Sequence, residues 1–258
     1  MLKSNKSGKK NAPSSLLHFT SVDSFFKMME PSLNHPEKAR FITFHASHYA
    51  QMNDKNEGKI IANRFYHSQH KAYSAWEEHK GSAFVLSFIA SRRKRMEYNI
   101  PMWLNYGCQG KGLCLRFDTK DIKAFARPSL EFESCDYLSS DDVAEKIKHL
   151  QEIERTISKD DFQREVAKTV HFSKDEYWQY EEEYRIIKFE QRKNVMQKIT
   201  PRGIIEYVTL EIPLTALRGI CIGPLTDHGK IKGSLETLLE HRLQHNGVTI
   251  SLSPLHLQ

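Results

Sequence analysis

No stretch of this sequence is apolar for long enough to span a bilayer, which argues against an integral helical membrane protein. The N-terminus lacks the apolar core of an export signal. It offers only Lys3, Lys6, Lys9 and Lys10 among serine and asparagine, so residues 1–15 read as a disordered basic tail. Cysteine is scarce: Cys108, Cys114, Cys135 and Cys221 are the four present, and no two form a C-x-x-C pair. Neither a zinc ribbon nor a dithiol redox motif is indicated, and without an export signal reduced thiols in a cytoplasm are expected. Net charge is also small once the tail is set aside. The four tail lysines face no acid and account for most of the formal +6, leaving +2 for the rest. The pI of about 9.0 is therefore a weak argument for nucleic-acid binding by the body as a whole. Internal repeats are absent, and so is low complexity beyond the tail.

What is present is an ordinary globular composition, 39% hydrophobic and 27% charged over 258 residues, enough for a full core. Strand-like runs fall at 16–19, 40–44, 83–89, 112–117, 184–189, 207–212, 219–222 and 248–252. Val22, Phe25, Phe26 and Met29 share a helical face behind a Ser21 or Asp23 cap. A second helix is expected over about 63–80, with Phe65, Tyr73 and Trp76 inward. Residues 139–170 carry helical spacing twice, divided near Lys159–Asp161. A last helix bears Ile231, Leu235, Leu238, Leu239 and Leu243, with Asn246 and Gly247 as its stop. Strands in both halves that do not alternate one for one with helices predict an α+β fold. The expectation is a mixed or antiparallel central sheet with flanking helices, one domain over 16–258, and a helical insertion at about 139–172.

The most informative run is Tyr180, Glu181, Glu182, Glu183, Tyr184, Arg185, Ile186, Ile187. On a strand, Glu181, Glu183 and Arg185 project from one side, and such groups are costly to desolvate unless paired or used. They form either a structural ion cluster or the lining of a reactive cleft. Glu183 and Arg185 also fit an E-x-K nuclease strand loosely, with Arg for Lys. That chemistry needs a second acidic group, from Asp175 or Asp118, to hold Mg2+. Arg92, Arg93, Lys94 and Arg95 follow an apolar strand and are either a solvated charge run or a phosphate or nucleic-acid patch. Trp103 and Tyr106 share a helical face before a glycine-rich turn, as core or as ligand wall. The pairs His45/His48, His67/His70 and His241/His245 have metal-like spacing, but no third ligand is evident and no metal is expected.

These pieces, in this order, resemble a widespread bacterial family known as a domain of unknown function. The likeness runs through H-F-T-S at 18–21, Met52, Asn53, Asp54 and Glu57, Phe84–Phe88, Trp103–Gly107 and Gly112–Asp118. It closes with Glu181–Ile187, Ile220–Pro224 and Val248–Ser253. More distantly, a strand with His-x-Thr, then a helix, then a much later strand bearing Glu resembles the ADP-ribosyltransferase superfamily. That resemblance implies an ADP-ribosyltransferase-like fold and NAD as substrate, with nucleic acid or protein as acceptor or NAD hydrolysis, and a toxin or phage-defence role. It implies that His18 and Thr20, with Ser21 beside them, grip NAD. Ser87 stands in for the middle-strand serine motif, and Trp103 or Tyr106 stacks on nicotinamide. Glu183 is then the catalytic acid, with Glu181 assisting and Arg185 orienting it or binding pyrophosphate.

Overall fold

The computed structural model describes residues 12–35, 40–52, 61–63, 74, 77, 81–91, 99–127, 129–200, 203–245 and 247–255. The apolar alternation Leu113, Leu115, Phe117 builds strand β4 (Leu113–Asp118), and those three side chains enter the main core. The same period-2 logic forms β1 (Ser15–Thr20), β2 (Phe41–His48), β3 (Ala83–Ala90), β8 (Glu183–Phe189), β10 (Gly203–Pro213), β11 (Leu217–Ile222) and β12 (Thr249–Leu252). Two further strands, β5 (Glu131–Ser134) and β9 (Met196–Thr200), complete a ten-stranded sheet. Its order is β12-β11-β4-β1-β3-β2-β10-β9, with β8 on β3 and β5 on β8. Within this sheet the described pairings are antiparallel except β11 with β12. A separate parallel pair joins β6 (Asp136–Leu138) to β7 (Ser173–Asp175). The α+β class and mostly antiparallel sheet are thus as the sequence predicts.

Strand β3 is a branch point. One edge pairs with β8 from Ala83 to Ile89. The other edge is shared: β1 takes Ile89 and Ala90, and β2 takes Phe84 and Val85. Leu86, Phe88 and Ala90 face the main core, together with α1 (Val22–Asn34), α3 (Thr119–Ala126) and α6 (His228–Glu236). The opposite face carries two smaller cores. Leu17, Phe19 and Ile89 pack with Trp103 of α2 (Ile100–Asn105). Ala83, Val85 and Ile187 pack with α4 (Ser140–Ile153) and α5 (Lys159–His171), the helical pair expected over 139–172.

Three boundaries differ from expectation. Residues 1–11 lie outside the described residues, but Ser14 and Ser15 are not tail. Their carbonyls accept from the N–H groups of Thr119 (3.2 Å) and Ser91 (2.9 Å), because the β1 ladder begins there. The last helix runs into a π-helical turn, Thr237–Arg242, and stops at Gln244 rather than at Asn246–Gly247. Gln244 takes φ +49° while the His245 N–H reaches the Leu239 carbonyl. The expected helix over 63–80, with Phe65, Tyr73 and Trp76, lies almost wholly outside the described residues. Ile61–Asn63 is helical.

Candidate functional site

Strand β8 starts immediately after a 3-10 turn, Glu176–Glu181. Glu182 between them adopts a left-handed φ of 44°. Glu181 is therefore not on the strand with Glu183 and Arg185, as alternation predicts; it ends the preceding turn. The carboxylates still meet, through a residue the sequence reading passed over. Lys174 of β7 donates from Nζ to Glu181 Oε2 (2.5 Å) and to Glu183 Oε2 (2.7 Å). Arg185 forks onto the same carboxylate, Nε to Oε1 at 2.8 Å and Nη2 to Oε2 at 3.0 Å. Its Nη1 donates to the His171 carbonyl at 2.5 Å. Tyr106 donates its hydroxyl to Glu181 Oε1 at 2.9 Å. The Glu183 N–H donates to Tyr137 Oη at 2.7 Å.

This is a charge-balanced internal network. Lys174, Glu181, Glu183 and Arg185 are all buried, and Arg185 has no exposed surface. It fills the gap between the two smaller cores on one face of the sheet. Burial works against the Lys174 ammonium, but Glu183 and Glu181 more than offset it and hold the lysine protonated. Burial raises the Glu183 carboxyl above its ordinary range, with Lys174 opposing. Burial and the neighbouring Glu181 raise Tyr106, which stays a phenol and a donor. Burial also keeps Cys135 beside this cluster a thiol. Tyr106 is half-buried, and Trp178 covers the Lys174 ammonium at 5.5 Å from its ring centroid. Tyr180, next in the turn, is exposed. Of the two groups that hold Glu181, Tyr106 is less buried than Lys174.

His18 does not join this set. Its neighbours on β1, Leu17 and Phe19, share the face of Ile89, and Ile89 lies opposite Glu183 on β8. By alternation His18 projects from the other face. It fills the fork where β1 and β2 part along β3. Its imidazole lies 5.0 Å from the Phe44 ring and 5.8 Å from the Phe88 ring. Nδ1–H donates to the Ser87 carbonyl at 3.0 Å, replacing a ladder bond that neither strand supplies. Burial lowers its pKa, so the ring is neutral, with Nε2 left as an acceptor. His18 and Glu183 consequently do not converge on one dinucleotide as expected.

Four other expectations are corrected. Trp103 is wholly buried, edge-on to Phe19 at 5.0 Å, and cannot stack on nicotinamide. Ser21 is the cap of α1, accepting from the Ser24 N–H and donating to the Ser24 hydroxyl. Thr20 is buried at the end of β1 on the His18 face, away from Glu183. Arg185, sealed against Glu183 and His171, presents no surface to a pyrophosphate. Ser87 does share the face of Arg185 and Glu183. Its hydroxyl faces the Glu183 carboxylate without closing a hydrogen bond of normal geometry. Arg92, Arg93, Lys94 and Arg95 lie outside the described residues.

The nuclease arrangement has no room here. Metal-binding positions on Glu183 are taken by Lys174 and Arg185. Asp175 and Asp118 instead accept from N–H groups at the starts of a 3-10 turn and of α3. Among the described residues no group of three or more His, Cys, Asp or Glu could hold a metal ion, and no helix is long and apolar enough to cross a membrane. A hollow of about 120 Å3 lies beside Leu138, Val143 and Asp175, below the roughly 300–1,000 Å3 of typical ligand sites.

Residues 102–186 match the model of a family described as a protein of unknown function, DUF2971. The span covers less than half of the chain but holds both the W-x-x-Y-G and the E-x-E-Y-R motifs. Among curated proteins none matches this sequence. Among solved structures the chain is similar to Thermus sp. 2.9 DarT in complex with ADP-ribosylated ssDNA. The identity is 12% and the TM-score 0.36, over 93% of this chain and 94% of that one.

Proposed function

We propose that this protein is an ADP-ribosyltransferase-like enzyme that consumes NAD, working from the Tyr106–Glu181–Glu183 side of the sheet. One observation carries the reading. Two carboxylates are fixed at the opening of β8 by Lys174 and Arg185, and one of them accepts from the hydroxyl of a half-buried tyrosine. Breaking the bond between ribose C1′ and nicotinamide sends its electron pair out with the leaving group and leaves an oxocarbenium-like cation. Preorganised anionic oxygens stabilise that charge as it grows. Glu181, held by Tyr106 and Lys174, is the group to face the ribose and take the proton of the attacking nucleophile. Glu183 fixes Lys174 behind it. His18 acts on the sheet rather than on NAD. The acceptor is a nucleic acid, a protein or water, and a toxin or phage-defence role in a cytoplasm accords with such chemistry.

A second reading is favoured by a different observation: every oxygen of Glu181 and Glu183 already has a partner inside the protein. The network is then a structural ion cluster in a non-enzymatic binding module. Incubation of the protein with NAD, alone and with DNA, RNA and protein acceptors, separates the two. The enzyme reading expects free nicotinamide from the wild type and its loss in Glu181→Gln and Tyr106→Phe, with both variants still folded by circular dichroism. No nicotinamide with any acceptor, together with no NAD-dependent thermal shift, removes it and leaves the structural reading.

A further inference from the structure

We infer that His45, Lys198 and Tyr207 form a binding site for a phosphate-type oxyanion, separate from the carboxylate network. Strands β2, β10 and β9 lie side by side at one end of the sheet. The register sets Thr209 opposite His45, Tyr207 opposite Ser47 and Met196, and Ile205 opposite Lys198. Since Ser47 lies opposite Val85, these side chains stand on the face away from the main core. They run diagonally across three strands, with His45 exposed and Lys198 and Tyr207 half-buried.

The contacts fix the protons. Lys198 Nζ lies 3.2 Å from His45 Nδ1. An ammonium has no lone pair to offer, so Nδ1 accepts and the imidazole carries its proton on Nε2. The Tyr207 ring backs both groups. Its centroid is 4.1 Å from the imidazole and 5.2 Å from the ammonium. Among the described residues Lys198 has no carboxylate partner. Glu206 points to the other face, towards Gln197, and Glu211 stands on the same face opposite Thr43, beyond Thr209. A half-buried cation without a counter-ion among the described residues leaves positive potential for an anion to meet. Burial lowers the Lys198 pKa, and burial together with the Lys198 charge lowers that of His45.

An oxyanion seated here takes its bonds from the ammonium hydrogens that His45 Nδ1 leaves free, beside the imidazole ring. The Ser47 and Thr209 hydroxyls lie on adjoining rungs of the same face. Two sources share that chemistry: free phosphate, and the phosphoryl group of a nucleotide whose base lies against the exposed His45 ring.

The test is an NMR titration of the His45 ring in the full chain, with inorganic phosphate and separately with adenosine 5′-monophosphate, chloride being adjusted to hold ionic strength. The expected result is a saturable shift and a His45 titration midpoint moved up towards the ordinary 6.5. Lys198→Gln, a change at a partly exposed site, is expected to weaken binding about tenfold. Clearly tighter binding of the nucleotide than of phosphate assigns the site to nucleotides, and equal binding assigns it to the phosphate group alone. Shifts that follow ionic strength only, or that survive Lys198→Gln unchanged, overturn the inference. Should that variant misfold, saturation in the wild type decides alone. Nicotinamide release plays no part in this readout, so the NAD reading and the anion site fail independently.

Discussion

Glu183 takes three N–H bonds from two cations inside the protein, and its loss leaves Arg185 without its carboxylate and Lys174 with Glu181 alone. Breaking a buried pair in this way costs about 3–5 kcal/mol. Glu183→Gln is expected to lower the unfolding free energy extrapolated from urea curves by an amount in that range. A cost under about 1 kcal/mol would place the network on the exposed scale of ion pairs. Lys174 sets the pH dependence. Its folded pKa is raised, so its stabilisation is complete below the ordinary 10.5 and is lost as pH rises above it. The stability gap between wild type and Lys174→Met is therefore expected to shrink in unfolding curves taken above about pH 10.5, and a constant gap would contradict the assignment. At the far end of β8, Glu190 accepts from Asn194 and Lys188, which draw its carboxyl down to about 2. NMR should find it ionised down to that pH, and its contribution to stability, complete above the ordinary 4.5, is lost as pH falls from there to about 2.

Between the elements, the close approaches are made by particular glycines. A Cβ at Gly112, just before β4, would sit 2.2 Å from the Thr20 carbonyl oxygen and 2.8 Å from that of Gly107. Both obstacles are backbone and cannot yield. Gly112→Ala is expected to cost about 3 kcal/mol or more. Gly233, inside α6, meets nothing within 4 Å. Gly233→Ala should stabilise by about 1 kcal/mol through helix propensity, and thermal unfolding of the two variants checks the contrast. Elements with strong periodicity were legible for the same reason that they are stable: Leu113–Phe117 and the helices over 139–172 carry their burial pattern in every second or every third and fourth residue. Strand β9 and helix α3 were not legible. Met-Gln-Lys-Ile-Thr is mostly exposed, and α3 is read only once Asp118 is seen to end a strand and cap a helix.

Over the whole molecule, the helical pair α4 and α5 shares β3 and β8 with the rest of the sheet through Ala83, Val85 and Ile187. We propose from this that residues 16–258 form one domain and unfold as one. Tryptophan fluorescence, with Trp103 in one small core and Trp178 over Lys174, and far-UV circular dichroism are expected to give coincident urea transitions. Separate midpoints would divide the helical insertion from the sheet. Local order fixed by side-chain period and capping was written in the sequence: the α+β class, the core strands, a helix cap at Ser21 or Asp23, and the fact that Glu181, Glu183 and Arg185 must be paired or used. Only the tertiary structure decided with what they pair. Lys174 and Tyr106 reach Glu181 from distant or differently folded segments, and no spacing rule encodes such contacts. The branch of β3 between β1 and β2 likewise turned His18 into the plug of a fork on the face opposite Glu183. Which side of a strand a residue occupies is set by alternation, but which strands lie beside it is set by long-range pairing.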